Sequence, residues 1–311
     1  MTHQIHSPDG TPISPFCFGT MQFGGGADAS ESEAMFRACR EAGITFFDTA
    51  YVYTDGASET LLGRFAAPER ERLCIATKCD FRGGSSAARI RSSFDESRIR
   101  LGMDRVEVLY LHTWDPDTPL EESFEALAAM QQEGLFDHIG VSNFAAWQVM
   151  KAQAVAARFD TRIAMLQPMY NLVKRQAEVE LLPMAAAEGI AVAPYSPLGG
   201  GLLTGKYHRG ETGRLKTDAR YAKRYGPDWM HDAAGALTGI AQEVGADPAT
   251  LAVAWAAAHP AVTAPIISAR SVEQLSPSLA AMDYTLPQAL RDRLTALTPA
   301  PPPATDRLDD V

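Results

Sequence analysis

The sequence predicts an α/β fold, a single-domain (β/α)8 TIM barrel of eight parallel strands each followed by a helix. Three observations predict it. Short apolar segments alternate with segments of helical period, the pattern of βα units and so of a parallel sheet. The strand segments are unbroken apolar runs (VEVLYL, GIAVAPY), as expected of strands covered on both faces. The units number eight, which favours a closed ring over an open sheet. The length, 311 residues, admits one barrel of about 250 residues or two domains of about 150, and no composition shift or linker divides the chain.

The first strand is expected at 16–19, followed by a helix at 31–42 that stops at Gly43. Strands at 44–48 and 73–77 lead into helices at 58–65 and 87–101, the latter ended by Gly102. Strands at 106–112 and 139–142 lead into helices at 120–133 and 145–157, with Gly134 closing the former. The sixth strand, 163–167, precedes a helix at 176–188 that Gly189 stops. These glycines stand where a helix end needs a residue that tolerates positive φ. The seventh strand, 190–193, opens into a long loop near 206–231, expected at the active site, and then two helices near 232–244 and 248–258. A strand at 263–267 and a helix at 272–282 complete the eight units. The domain is expected over 1–298, with the Pro- and Asp-rich segment 299–311 as a frayed tail.

Composition narrows the function. Hydrophobic residues make up 46% and charged residues 21%, and 28 Lys+Arg against 38 Asp+Glu give a net charge of -10. An acidic chain lacks the basic face that nucleic acid requires. Cys17, Cys39, Cys74 and Cys79 form no C-x-x-C pair, so buried thiols in a reducing compartment are expected and no zinc site. The polar start MTHQIHSPDG carries no apolar signal region, and the longest apolar run, 251–258, is too short for a membrane span. A cytoplasmic protein with no membrane or nucleic-acid partner is expected, and either a monomer or a homo-oligomer fits.

In such a barrel the active site lies at the C-terminal ends of the strands. Four consecutive strand ends supply Asp48, Tyr53 five residues beyond it, Lys78 and His112. Singly each has an ordinary reading as a helix cap, a rim aromatic or a solvated charge. Together they suit carbonyl reduction, which leaves an alkoxide in need of a proton. Tyr53 can supply it if its phenolate is stabilised, Lys78 is expected to lower the phenol's pKa, Asp48 to hold the lysine, and His112 to donate to the carbonyl oxygen. No side chain supplies hydride, so a nicotinamide or flavin is required. Later strands end in Ser142-Asn143, Gln167, Tyr195-Ser196 and Ile267-Ser268.

No G-x-x-x-x-G-K-[ST] phosphate loop is present. The Gly-rich segment SPLGGGLLTGKY (196–207) follows a strand, and its backbone amides can approach a pyrophosphate or form a plain surface loop. From Lys206 onward the chain carries Lys206, Arg209, Arg214, Lys216, Arg220, Lys223 and Arg224 against only Glu211, Asp218 and Asp228. That basic loop in an acidic chain suits cofactor phosphates or an acidic substrate, or simple solvation.

These residues resemble the aldo-keto reductase superfamily over nearly the whole chain. The motifs FGTMQFG, FDTAYVYTDGASE, IATK, LYLHTWD, GVSNF, LQPMYN, YSPLGGGLLTGKY and ARSVEQL stand in family order. YTDGASET, YNLVKRQ and GGLLTGKY are most similar to the aflatoxin-aldehyde and succinic-semialdehyde reductase branch. The resemblance implies an extended NADPH (NADP) cofactor on the barrel and a catalytic tetrad at Asp48, Tyr53, Lys78 and His112, with Tyr53 as proton donor. It implies cofactor contacts from Gly19, Thr20, Met21 and Asp48 in the early strands. Ser142, Asn143 and Gln167 would hold the nicotinamide carboxamide, and Tyr195 would stack on the ring. Ser196, Pro197, Leu198, Gly200, Leu202 and Lys206 fall in the pyrophosphate loop, with Arg214 as a further contact. Ser268, Arg270, Ser271, Gln274 and Ser278 fall at the adenosine site, whose 2′-phosphate favours NADPH over NADH. A small-molecule carbonyl substrate would meet Met21, Tyr53, His112, Trp114, Tyr221 and Arg224, the arginine suiting a carboxylate. The chain departs from the family at Pro277 and Ser278, where Glu-Asn is usual, at Ser268, where Gly or Lys is common, and at Thr54, where Gly is frequent.

Two further classes compete. Some superfamily members are channel-associated regulatory subunits that bind nucleotide and turn over slowly, a role the intact tetrad disfavours. A metal-dependent barrel hydrolase needs several His and acidic residues on strand ends. Only His112 is so placed; His3, His6, His138, His208, His231 and His259 fall elsewhere.

Overall fold

The computed structural model describes residues 5–305; His3 and the tail segment 306–311 lie outside the described residues. Among the described residues eight strands are formed: β1 (Cys17–Gly19), β2 (Phe46–Asp48), β3 (Cys74–Lys78), β4 (Val106–Leu111), β5 (Phe136–Ser142), β6 (Ile163–Gln167), β7 (Ala191–Val192) and β8 (Ile266–Ile267). They pair in parallel in the order β7-β6-β5-β4-β3-β2-β1-β8. Backbone bonds close the ring between its two ends: Thr263 N donates to Val192 O at 2.8 Å and Ile266 N to Pro194 O at 2.9 Å. The expected (β/α)8 barrel is therefore the fold.

Strand alternation sorts the side chains. Phe18, Phe47, Ile75, Leu109, Leu166 and Val192 pack outward against the helices. Cys17, Phe46, Cys74, Ala76, Val108, Tyr110, Met165, Ala191 and Ile266 form a separate buried cluster inside the ring. Continuing the inward parity by two residues from Phe46, Ala76 and Tyr110 reaches Asp48, Lys78 and His112. The alternation that fills the barrel therefore also raises these groups onto its axis. Gly140 leaves room for the Tyr110 ring, which any Cβ there would strike. The lower end is plugged by a turn in which Ile13 N donates to Ile5 O at 3.1 Å, adding Ile5 and Ile13 to the inner cluster.

Helices α1 (Ala29–Glu41), α2 (Ala57–Ala66), α3 (Ala87–Leu101), α4 (Leu120–Gln132), α5 (Ala146–Ala156) and α6 (Leu181–Glu188) follow the first six strands. After β7 come the short α7 (Arg214–Thr217) and α8 (Ala219–Arg224), then α9 (Asp228–Val244) and α10 (Pro248–Ala257). After β8 come α11 (Val272–Ala280) and α12 (Gln288–Thr295). Several boundaries differ from expectation. The helix expected over 176–188 is instead a 3-10 turn, Gln176–Glu178, and then α6, because Pro183 lacks the N–H that a continuous helix would need and its ring would crowd the carbonyl of Val179. The strand expected from 263 begins its ladder at Ile266, after Pro265, although Thr263 and Ala264 already bond to Val192 O. The long loop contains α7, α8 and the first turn of α9. Helix α12 was not expected. It is anchored by buried Leu294 and by Thr295 Oγ1, which accepts Trp255 Nε1 at 2.8 Å. Among the described residues no helix is long and apolar enough to cross a membrane. The four cysteines are buried free thiols.

Candidate active site

Asp48 ends β2 and Lys78 ends β3, and both are buried. Lys78 Nζ donates to Asp48 Oδ1 at 2.5 Å, to Thr49 O at 2.8 Å and to Tyr53 Oη at 3.3 Å. Its three ammonium hydrogens are thereby matched by three acceptors. Tyr53 opens a single tight turn, Tyr53–Gly56, just above β2. His112 follows β4, its ring edge-on to Tyr53 at 5.9 Å and to Phe81 at 5.1 Å between centroids. His112 Nδ1 is buried and has no hydrogen-bond partner among the described residues. The structure thus brings together the four side chains that the strand ends singled out.

Burial governs the electrostatics. His112 is held down to about 3, first by burial and then by the Lys78 charge, so the imidazole is neutral near pH 7. Burial alone would lower Lys78, but Asp48 and Tyr53 outweigh it and hold the ammonium above its ordinary value. Tyr53 corrects an expectation. Lys78 does pull its phenol down, but burial pushes harder, assisted by the Asp48 charge, and the net shift is upward. The phenol is consequently protonated across the neutral range. The nearby ammonium still stabilises the phenolate relative to a site without it.

The next three strand ends form a hydrogen-bonded arc above this group. Tyr195 Oη donates to Asn143 Oδ1 at 2.8 Å, and Asn143 Nδ2 donates to His112 O at 3.0 Å and Ser142 Oγ at 3.1 Å. Ser142 Oγ donates to Gln167 O at 3.0 Å, and Gln167 Nε2 to Asp48 Oδ2 at 2.9 Å. Asn143 sits at φ 59°, a left-handed conformation that Asn tolerates better than most residues.

A cleft of about 1060 Å³ runs from these residues toward α11. Among the sequence-selected residues, Gly19, Met21, Asp48, Tyr53, His112, Ser142, Asn143, Gln167 and Tyr195 line its inner part. Ser196, Pro197, Leu198, Gly200, Lys206, Arg214, Tyr221, Arg224, Ser268, Arg270 and Gln274 line its outer part. Others stand behind the wall. Thr20 is buried, its hydroxyl bonded to Asp48 O and Ser58. Leu202 and Ser278 are buried too, and Ser271 caps α11 by accepting Gln274 N. Trp114 packs on Phe144 and Trp147 at 5.3 and 5.6 Å. Sequence reasoning did not select Gln22, Asp247 or Glu273, which also line the cleft. Gln22 Oε1 accepts Arg270 Nε at 3.1 Å across the mouth between the first and last strands, a pairing with no local sequence signal. Arg209 and Arg220 line it as well, and the basic loop was their signal.

The outer cleft suits a phosphate-bearing dinucleotide. Among the described residues Lys206, Arg214 and Arg270 form no ion pair, yet all three face it. The Lys206 ammonium is lowered by burial and by Arg270, with Glu211 opposing and Arg214 adding to the shift, as expected where cations converge. Gly199, Gly200 and Gly201 have φ 57°, 65° and 93°, a run that only glycine adopts readily, and the turn is held by Gly199 N and Gly201 N donating to Ser196 O and Leu198 O at 3.0 Å each. Asn171 pins this turn by donating to Ser196 O at 2.8 Å. Among the described residues no group of three or more His, Cys, Asp or Glu side chains is placed to hold a metal ion.

The family model described as the aldo/keto reductase family matches residues 15–298. The chain is similar to "Uncharacterized oxidoreductase YrpG" of Bacillus subtilis, 36% identical over 94% of each chain. It is similar to "Probable voltage-gated potassium channel subunit beta" of Oryza sativa, 32% identical over 96% of each chain. It is also similar to "Aflatoxin B1 aldehyde reductase member 2" of Rattus norvegicus, 37% identical over 71% of this chain and 61% of that one.

Proposed function

The chain belongs to the aldo/keto reductase family and is an oxidoreductase, and from that premise we propose that it uses NADPH to reduce aldehydes or ketones to alcohols, with Tyr53 as proton donor. One observation carries the reading: Lys78 Nζ lies between Asp48 Oδ1 and Tyr53 Oη beside a neutral His112, at the inner end of a cation-lined cleft.

When bound in the cleft, a reduced nicotinamide would supply the hydride that the carbonyl carbon requires. The protein's part concerns the oxygen. Neutral His112 donates an N–H to the carbonyl oxygen and orients it. As charge develops there, the Tyr53 phenol, protonated at neutral pH, transfers its proton to the alkoxide. The resulting phenolate keeps the Lys78 ammonium as its partner, and Asp48 holds that ammonium in place. Ser142, Asn143, Gln167 and Tyr195 would position the nicotinamide, and Lys206 and Arg214 the pyrophosphate. Arg270, with Ser268 and Gln274, would favour a 2′-phosphate and hence NADPH. Arg224, stacked over the Tyr221 ring at 5.3 Å and facing the cleft, supports aldehydes that carry an anionic group.

Replacing Tyr53 by Phe tests the assignment. Carbonyl reduction should fall by about 10²–10⁴ while NADPH binding, followed by fluorescence titration, stays nearly unchanged. Undiminished turnover would refute it. The likeness to plant potassium channel β subunits favours a second reading, a nucleotide-binding regulatory subunit. Steady-state NADPH oxidation over a panel of aldehydes separates the two, since a regulatory subunit would bind NADPH and turn over slowly on every substrate.

A further inference from the structure

Tyr53 is carried on an unusual piece of backbone. The two residues after it, Thr54 and Asp55, both lie at positive φ, 47° and 51°. The left-handed region is costly for any L-residue and most so for a β-branched one. Such a conformation persists only where the surroundings impose it. Two groups do so here, from opposite sides.

On the inner side Thr54 Oγ1 donates to Phe23 O at 2.8 Å and accepts from Ser58 N at 3.0 Å, tying the turn to the loop after β1 and to the first turn of α2. On the outer side Arg100 reaches over from α3. Its Nη1 donates to Tyr51 O at 2.9 Å, and its guanidinium carbon stands 4.4 Å from the Tyr51 ring centroid. The guanidinium is itself oriented by two carboxylates: Glu96 at 2.5 Å and the buried Glu59 at 3.3 Å. Glu59 is fixed in turn by Thr77 Oγ1 at 2.7 Å, and Glu96 accepts the Tyr51 hydroxyl at 2.7 Å. Gly56 permits this approach, for at φ +92° it is left-handed and a Cβ there would lie 2.6 Å from Arg100 Nε. Neither Thr54 nor Arg100 lines the cleft.

We propose that Thr54 and Arg100 are positioning residues for the proton transfer: gripping residues 51–56 from both sides, they keep Tyr53 Oη within reach of Lys78 and beside His112. The proposal rests on Tyr53 being the proton donor. If the grip loosens, the phenol swings from the ammonium while the cofactor cleft is left intact. The effect should therefore fall on kcat and not on nucleotide affinity. The alkaline limb of the kcat–pH profile should also move up, because burial then acts on the phenol with less opposition from the cation.

The test compares Thr54→Val, which removes the hydroxyl at nearly constant shape, with Thr54→Ser, which keeps it. Arg100→Ala is assayed with and without added guanidinium, and Arg100→Lys serves if the alanine variant does not fold. Thr54→Val and Arg100→Ala should lose about 10- to 100-fold in kcat, the size of a small misplacement of a reacting group. Their NADPH Kd should stay within about two-fold, the alkaline limb should shift upward, and Thr54→Ser or free guanidinium should restore most of the rate. Losses of kcat and NADPH affinity together, with an unmoved pH profile, would mean a general structural role and overturn the proposal. So would wild-type kcat in both Thr54→Val and the Arg100 variant that folds, provided Tyr53→Phe is inactive. An active Tyr53→Phe would instead overturn the underlying reading of the site.

Discussion

Replacing Lys78 by Met separates the charge of this lysine from its bulk. The Lys78 side chain is fully buried, and its ammonium has three partners: Asp48 Oδ1, Thr49 O and Tyr53 Oη. Removing it leaves the Asp48 carboxylate buried with Gln167 as its remaining donor. Breaking a buried pair from one side costs about 3–5 kcal/mol, because the surviving charge is uncompensated. At roughly 2 °C per kcal/mol for a chain of this size, the thermal midpoint should drop by about 6–10 °C. The deficit should depend on pH. In the variant, burial raises the Asp48 pKa further above the unfolded value of about 3.9, so between those two values the native state holds a proton that the unfolded state releases. Stability therefore declines as pH rises through that window, and the deficit should be larger near pH 8 than near pH 5. Adding Asp48→Asn removes the orphaned charge while keeping an acceptor for Gln167. The double variant should regain most of the lost stability but none of the lost turnover, which should stay about 10²–10⁴ below wild type, as expected for a phenolate without its cation. Differential scanning calorimetry and NADPH oxidation on the same samples read both effects. A single variant as stable as wild type, or a double variant with restored turnover, would show that the lysine is not acting through its charge.

Further substitutions probe the barrel core, the buried imidazole and the two ends of the cleft. Gly140→Ala should destabilise by about 1–3 kcal/mol, since its methyl group would strike the Tyr110 ring inside the barrel, and Tyr110→Leu should relieve part of the loss; urea denaturation of the single and double variants measures both. His112 is held at about 3 in the fold against an ordinary 6.5, so below about pH 6.5 the unfolded chain gains a proton that the native chain refuses, and stability falls as pH drops from there toward 3. His112→Gln should flatten that acid limb in a pH series of thermal midpoints, and an unchanged limb would assign it to other groups. For the cofactor and substrate ends, Arg270→Ala should weaken NADPH by about ten-fold while NADH changes little, and Arg224→Ala should lower kcat/KM for acidic aldehydes several-fold more than for neutral ones; equal effects within either pair would dismiss the corresponding contact.

Much of the site is legible in the chain because two periodicities are local. Apolar runs of strand length mark where each strand ends, and the alternation of side chains shows which residue at that end faces inward. Asp48, Lys78, His112 and Gln167 can be selected in that way with no knowledge of what lies across the ring. Tyr53 is less directly readable, since it stands beyond its strand and depends on the turn that follows. Helix α12 was missed because its anchors, Trp255 and Arg175, are distant in sequence from Thr295.

The amino-acid order alone thus sets the repeating βα architecture, the polar residues at the strand ends and the basic, glycine-rich segment after β7, since all three follow from near-neighbour pattern. Tertiary contact sets the rest. Closure of the ring between β7 and β8 brings residues about 70 apart into hydrogen bonding, Gln22 meets Arg270 across the cleft, and Arg100 reaches the Tyr53 turn from another helix. It also sets the direction of the Tyr53 shift. A cation nearby in sequence pattern argues for a more acidic phenol, but the balance between that charge and the loss of water depends on how deeply the folded barrel encloses the hydroxyl.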